Sequence, residues 1–223
     1  MTPDELSAVQ ERITRQILAD LRPVSPIPRN AVLIAVLLLI AATVVAAGVW
    51  HEGMAGIRAQ SEVQSVMVFG LLAVALVAGA MLVASWLVPA GRYHGLPAAV
   101  LTFSTLSLLA AFVFLFPYES NPDFLAVGLT CWRIGMAYSA GAALLSFLVL
   151  RRAAWLSPVV LGTTSGIFAG LTALTVQEIY CPYLDAGHIA GFHAGTLVSA
   201  TLLGTLLGVT LPRIFENMHW RKQ

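Results

Sequence analysis

The chain has 223 residues, of which 58% are hydrophobic and only 10% are charged. A soluble domain usually carries about 25% charged residues, so the composition excludes an ordinary water-soluble protein and indicates an integral membrane protein. The apolar composition makes the lipid bilayer an expected partner. The net charge of +1 gives no sign of nucleic-acid binding, and we expect no direct contact with nucleic acid.

The first 30 residues predict an arm outside the membrane. Thr2, Pro3 and Glu5 form a helix-start signal, and apolar residues then recur at spacings of three and four. The proline-rich stretch RPVSPIPRN ends this helix and forms a stiff linker. The apolar face needs a partner, either the membrane surface and neighbouring loops or the groove of a soluble protein. Its mixed charges favour the protein partner. The face consists of Leu6, Val9, Ile13, Ile17 and Leu21.

Six long apolar runs follow, each long enough to cross a bilayer, which takes about 20 residues. Backbone groups in lipid must bond internally, so each run is predicted to be an α-helix. We therefore expect an all-α fold, a polytopic six-helix transmembrane bundle. The domains are an arm at 1–30, a membrane domain at 31–212 and a short tail at 213–223. The runs lie at about 31–50, 63–88, 96–116, 124–150, 156–176 and 189–211.

Lysine and arginine are distributed unevenly about these runs. Six spans put both termini on one side, and ten of the 12 Lys and Arg residues fall on that side. The other side has only Arg58, and Arg133 falls within the fourth run. The positive-inside rule makes the termini cytoplasmic. We expect a multi-pass protein of a bacterial inner membrane, with outer loops at 51–62, 117–123 and 177–188.

The fifth and sixth runs carry small residues at regular spacing. Gly162, Gly166 and Gly170 form a repeated G-x-x-x-G pattern, and Gly204 and Gly208 have the same spacing. Such residues let helix backbones approach closely. The pattern predicts tight packing of these two helices, within one chain or between the two copies of a homodimer.

The segment QEIYCPYLDAGHIAGFH at 177–193 concentrates titratable side chains in an otherwise apolar chain. The predicted topology puts it at the same face as the other cysteine, Cys131. Cysteine and histidine are ligands for zinc and other borderline-soft metals, although the spacing matches no zinc finger. The two histidines are five residues apart, which does not align them on an α-helix. A metal site, a redox pair of thiols and inert buried cysteines all stay open. The candidate ligands are Cys131, Cys181, His188 and His193.

Arg133 is an unusual residue for a membrane helix. A buried arginine requires a partner or water. Near the outer end of its helix, the side chain could snorkel to the membrane surface. The more specific expectation pairs it with Glu178, at the outer end of the fifth run. The ion pair would join the outer ends of the fourth and fifth helices and favour the thiolate of a nearby Cys131.

The chain has no Walker loop, G-x-S-x-G, H-E-x-x-H or Rossmann fingerprint, so we expect no enzyme activity. The alternative is a membrane enzyme or cofactor protein, with the Cys/His cluster holding a metal or haem. A transporter would need a polar path through the bundle, and the apolar runs offer none.

The cysteine near the start of the fourth run, the following RR, the Gly-rich fifth run and the dipeptide Cys181–Pro182 resemble the NrsF-like family of six-span bacterial membrane anti-sigma factors. The resemblance is best over residues 128–193, and the arm matches in kind more than in sequence. It implies that the protein holds an extracytoplasmic-function sigma factor at the membrane and releases it on a stress stimulus. It also implies that Cys131 and Cys181 are the sensing element.

Overall fold

The computed structural model describes residues 11–12, 30–87, 95–118, 123–150 and 157–220, and for 211–220 the backbone alone. Six helices in these ranges are long and apolar enough to cross a membrane. The predicted all-α, six-span fold is confirmed. Of the arm only residues 11 and 12 are described. The predicted arm helix, its face of Leu6, Val9, Ile13, Ile17 and Leu21, and the proline-rich linker therefore lie outside the described residues.

The helices follow the predicted runs closely, with short additions at one end of the bundle. A five-residue helix lies between the first two spans, and the last span begins with a short helix and a π-helical turn. The order is α1 Asn30–Glu52, α2 Ala55–Ala59, α3 Glu62–Ser85, α4 Gly95–Leu115, α5 Phe124–Leu150, α6 Pro158–Tyr180, α7 Ala186–His188, the π-turn Ile189–His193 and α8 Ala194–Trp220.

The boundary difference that matters most for the site concerns α6, which continues to Tyr180 and not only to about residue 176. Gln177 and Glu178 are therefore helical residues, although the sequence placed them in a loop. They can stay in the helix because both side chains find hydrogen-bond partners inside the protein. The connection to the last span shrinks to residues 181–185. At the other end, the backbone of α8 extends to Trp220, so most of the predicted tail is helical.

The central helix of the bundle is α6. In its most apolar stretch 67% of the residues are buried, against 28–44% in the other five spans. It packs against α1, α3, α5 and α8. Its threonines Thr164, Thr172 and Thr175 bond to carbonyls one turn earlier in the helix. Because α6 faces protein more than lipid, the fifth run can be less hydrophobic than the first three runs.

The glycines of α6 and α8 face each other within one chain. A Cβ on Gly166 would lie 2.6 Å from the carbonyl oxygen of Ala200, and one on Gly162 or Gly204 would overlap the other's carbonyl oxygen. Only glycine permits this backbone contact. The backbones of the two helices are therefore in direct contact.

The segment between α1 and α3, residues 53–61, folds back over α6 at the end of the bundle that carries Cys131 and Cys181, which we call the cysteine end. Gly53 has a φ of +86°, a conformation that suits glycine, and turns the chain after α1. The segment ends at Ser61, which caps α3 by a reciprocal hydrogen-bond pair with Gln64. We call residues 53–61 the α1–α3 loop.

Candidate metal centre

Cys131, Cys181, His188 and His193 meet in one buried cluster at the cysteine end. Cys131 lies in the second turn of α5, and Cys181 directly follows α6. Their exposed fractions are 4% and 2%, and those of His188 and His193 are 3% and 1%. One ligand atom from each residue lies within 4.8 Å of the others. Four ligand atoms so close together could all reach a single metal ion.

Each sulfur is paired with one imidazole nitrogen. The Cys131 Sγ lies 3.1 Å from His193 Nε2, and the Cys181 Sγ lies 3.4 Å from His188 Nε2. The two rings are nearly perpendicular, with centroids 5.1 Å apart. Both histidines thus present the same nitrogen toward the sulfurs. Two sulfur and two nitrogen ligands are a common set for four-coordinate zinc.

The π-turn explains how both histidines reach the cluster. In an α-helix, residues five apart point about 140° away from each other. Here the Ala194 N–H donates to the carbonyl of Ile189, five residues earlier, so the turn is wider than an α-turn. The Asp185 carboxylate also accepts the His188 N–H at 2.8 Å and fixes the start of α7. The histidine spacing, which argued against a shared α-helical face, therefore suits a π-helical one.

Glu178 pairs with His193 and not with Arg133. Its Oε1 lies 2.7 Å from His193 Nδ1, and its Oε2 accepts a hydrogen bond from Gln60 at 3.3 Å. The Glu178 side chain is buried on the inner face of α6, whereas Arg133 is exposed on the surface of α5. The expected ion pair between Glu178 and Arg133 is therefore wrong. The carboxylate faces the cluster instead, because a buried carboxylate needs hydrogen-bond donors, which His193 and Gln60 supply.

Two further α6 residues surround Cys131. Tyr180 places its hydroxyl 3.2 Å from the Cys131 Sγ. The Gln177 amide donates to the Cys131 carbonyl and to the Thr196 hydroxyl, both at 3.1 Å. Sequence reasoning missed both because it placed residues 177–188 in a loop. On a helix, Gln177 and Tyr180 are three residues apart and share one face, which is the signal that would have found them.

A cavity of about 420 Å³ leads to the sulfurs. It is lined by both cysteines and by Asp123, Thr130 and Tyr180, whereas neither histidine lines it. The cavity therefore reaches the cluster from the side of the two cysteines. A second cavity of about 490 Å³ lies between α5, α6 and α8, and its lining contains no titratable side chain.

Cys181 lies just outside the membrane-spanning helices. The hydrogen bond with the Cys131 sulfur, together with burial, raises the pKa of the Cys181 thiol above its ordinary value. A metal ion would have to displace the proton from the Cys181 sulfur, since thiolates are the metal ligands. The residues fit such an ion: the two thiolates would balance two positive charges, and both imidazoles can bind while neutral.

The fold and the cluster together define a multi-pass helical membrane protein with a buried cysteine–histidine centre near one end of the bundle. The family model described as negative regulator of sigma F, NrsF, matches residues 18–213. That match covers most of the chain, so the protein belongs to the NrsF family, and the predicted resemblance is confirmed. No curated protein and no solved structure is significantly similar to it.

Family membership gives the general role. The protein is a negative regulator of a sigma factor, and a sigma factor is its partner. A regulator family agrees with the expectation of a non-enzyme. The alternative of a membrane enzyme or haem protein receives no support from the comparison.

Proposed function

We propose that the protein is an anti-sigma factor that sequesters an extracytoplasmic-function sigma factor with its arm and releases it when the four-residue centre captures a metal ion. The observation that carries the sensing half is the convergence of two sulfurs and two imidazole nitrogens within 4.8 Å. Zinc or another borderline-soft ion suits that ligand set. The sequestering half rests on the family and on the amphipathic face of the arm.

The two halves require only modest energetic coupling. An ion that binds one arrangement of the bundle more tightly than another shifts the balance between them by its difference in binding free energy. Changing the sigma-factor affinity about 100-fold takes about 3 kcal/mol of such coupling. Four metal–ligand bonds between three helical segments are an adequate source. Oxidation of the two thiols to a disulfide is the competing stimulus.

Deleting residues 1–25 tests the sequestering half. We expect the full-length protein to retain a co-expressed extracytoplasmic-function sigma factor on an affinity resin, and the shortened protein to lose it, because the apolar face of the arm would be gone. Within the intact chain, Ile13→Asp should weaken retention strongly. Arg12→Ala changes the net charge by the same amount on the polar face and should retain the sigma factor. Equal retention by all four proteins would exclude the arm as the docking element.

The proposed inner-membrane location has the termini in the cytoplasm and the cysteine end facing outward, as the Lys and Arg distribution favours. A small membrane-impermeant thiol reagent added to intact spheroplasts should therefore label Cys131 and Cys181 through the cavity. Added zinc should slow the labelling, because bound thiolates are protected. Labelling that occurs only after lysis would reverse the orientation. Labelling that zinc leaves unchanged would count against metal capture.

A further inference from the structure

Glu178 contacts the ring of a candidate ligand, His193, through its carboxylate, and it is almost fully buried, with 1% of its surface exposed. The carboxylate bridges two parts of the chain that are far apart in sequence. Oε1 binds the His193 ring in the last span, and Oε2 binds the Gln60 amide in the α1–α3 loop. The loop that contains Gln60 supplies no candidate ligand, yet it contacts Glu178 and the backbone of Cys181.

The contact with Glu178 decides which His193 nitrogen carries a proton. An ionised carboxylate only accepts hydrogen bonds, so with Glu178 in that form Nδ1, at 2.7 Å from Oε1, is the protonated nitrogen. In the neutral ring the lone pair is then on Nε2, which faces the Cys131 sulfur. A histidine held in this way is ready to bind a metal ion without rotation or tautomer exchange.

The α1–α3 loop is fitted closely against the same residues. Gln60 Nε2 bonds the backbone carbonyl of Glu178 as well as its side chain, both at 3.3 Å. The Ser65 hydroxyl donates to Gln60 Oε1 at 3.3 Å and so orients the amide with its donors toward Glu178. A Cβ on Gly56 would lie 2.6 Å from the Cys181 carbonyl oxygen and 2.7 Å from that of Glu178. The loop backbone therefore rests directly on the end of α6, where no larger residue than glycine fits.

From this geometry we infer that Glu178 is a positioning residue of the metal centre and that Gln60 holds Glu178 in place, so the α1–α3 loop is part of the centre. The inference rests on the proposed function for the identity of the centre. The Gln60–Glu178 link, however, can be measured without metal. The inference thus gives a role to the α1–α3 loop, which supplies no ligand.

Exchanging the two polar side chains is the sharpest test. In Glu178→Gln, the new amide would either offer an N–H to His193 Nδ1 or turn a donor toward the Gln60 donor, so one contact is lost either way. In the double variant Gln60→Glu with Glu178→Gln, the amide can accept from His193 and donate to the new carboxylate. The donor–acceptor order between the two side chains is then restored with the same total charge, while the hydrogen bond from Gln60 to the Glu178 backbone carbonyl is lost.

The metal readout uses purified full-length protein and Co²⁺, whose visible spectrum reports tetrahedral sulfur ligation. Glu178→Gln should lower the Co²⁺ affinity by about 10- to 100-fold, the usual effect of removing a carboxylate behind a histidine ligand. The double variant should recover a clear part of the lost Co²⁺ affinity. Gln64→Ala removes a neighbouring amide that bonds Leu115 and Ser61 but not Glu178, and should leave the affinity unchanged. Wild-type affinity in Glu178→Gln would overturn the positioning role.

The metal-free readout uses trypsin, which can cut after the exposed Arg58 in the α1–α3 loop. Cleavage there should be faster in Glu178→Gln and return toward the wild-type rate in the double variant, while the melting temperatures show that all three proteins are folded. Equal cleavage rates in the three would overturn the link between loop and centre. If wild-type protein bound no Co²⁺ but the cleavage pattern held, the metal-sensing proposal would fail and the link would stand.

Discussion

Replacing Cys131 or Cys181 with serine should lower the affinity for Zn²⁺ or Co²⁺ by more than about 100-fold. This loss should exceed the one expected for Glu178→Gln, which removes a residue that supports a ligand and not a ligand itself. A serine hydroxyl stays protonated and does not replace a thiolate at a borderline-soft ion. The sigma factor should then remain bound when metal is added. Isothermal titration in detergent and sigma-factor retention with and without metal are the two measurements.

Histidine variants separate metal capture from thiol oxidation. His188→Ala and His193→Ala should weaken metal binding as the cysteine variants do, because each removes one of the four ligands. His51→Ala is the matched control, since His51 is exposed at the end of α1 and is not one of the four candidate ligands. If only the cysteine variants lost the response, and an oxidant triggered release in both histidine variants, a redox pair would replace the metal site.

Adding one methyl group to the contact between α6 and α8 should destabilise the bundle. In Gly204→Ala the new Cβ would overlap the carbonyl oxygen of Gly162, and a backbone atom cannot move away by changing a rotamer. Overpacking of this kind costs about 1–3 kcal/mol. Denaturant or thermal unfolding in detergent, followed by circular dichroism, should show the loss as an earlier transition.

Gly141→Ala provides the matched control for that experiment. Gly141 lies in α5, and apart from the backbone of its own helix no atom of the described residues lies within 4 Å of a Cβ added there. The substitution should be neutral or stabilise the helix by up to about 1 kcal/mol, the difference in helix propensity between the two residues. Equal destabilisation by both substitutions would mean that the glycine face does not determine the packing of α6 and α8.

Hydropathy and spacing were enough to predict the six spans and the tight glycine-rich pair, because both depend on local composition. The centre was harder to predict. The four candidate ligands could be named from residue type alone, but their convergence depends on a π-turn that an α-helical periodicity argument cannot anticipate. Glu178 was given the wrong partner because α6 was ended too early. Gln60 had no sequence signal, since its role depends on a loop folding back over a distant helix.

The glycine contact between α6 and α8 restricts how a conformational change at the cysteines could be transmitted across the bilayer. Where two backbones touch, no side chain is present that could absorb a displacement by turning about its χ angles. The pair would have to tilt or shift as a single rod. At 1.5 Å per residue, the 23 residues of α6 extend about 34 Å, so a small angular change at the Cys181 end becomes a lateral movement at the opposite end.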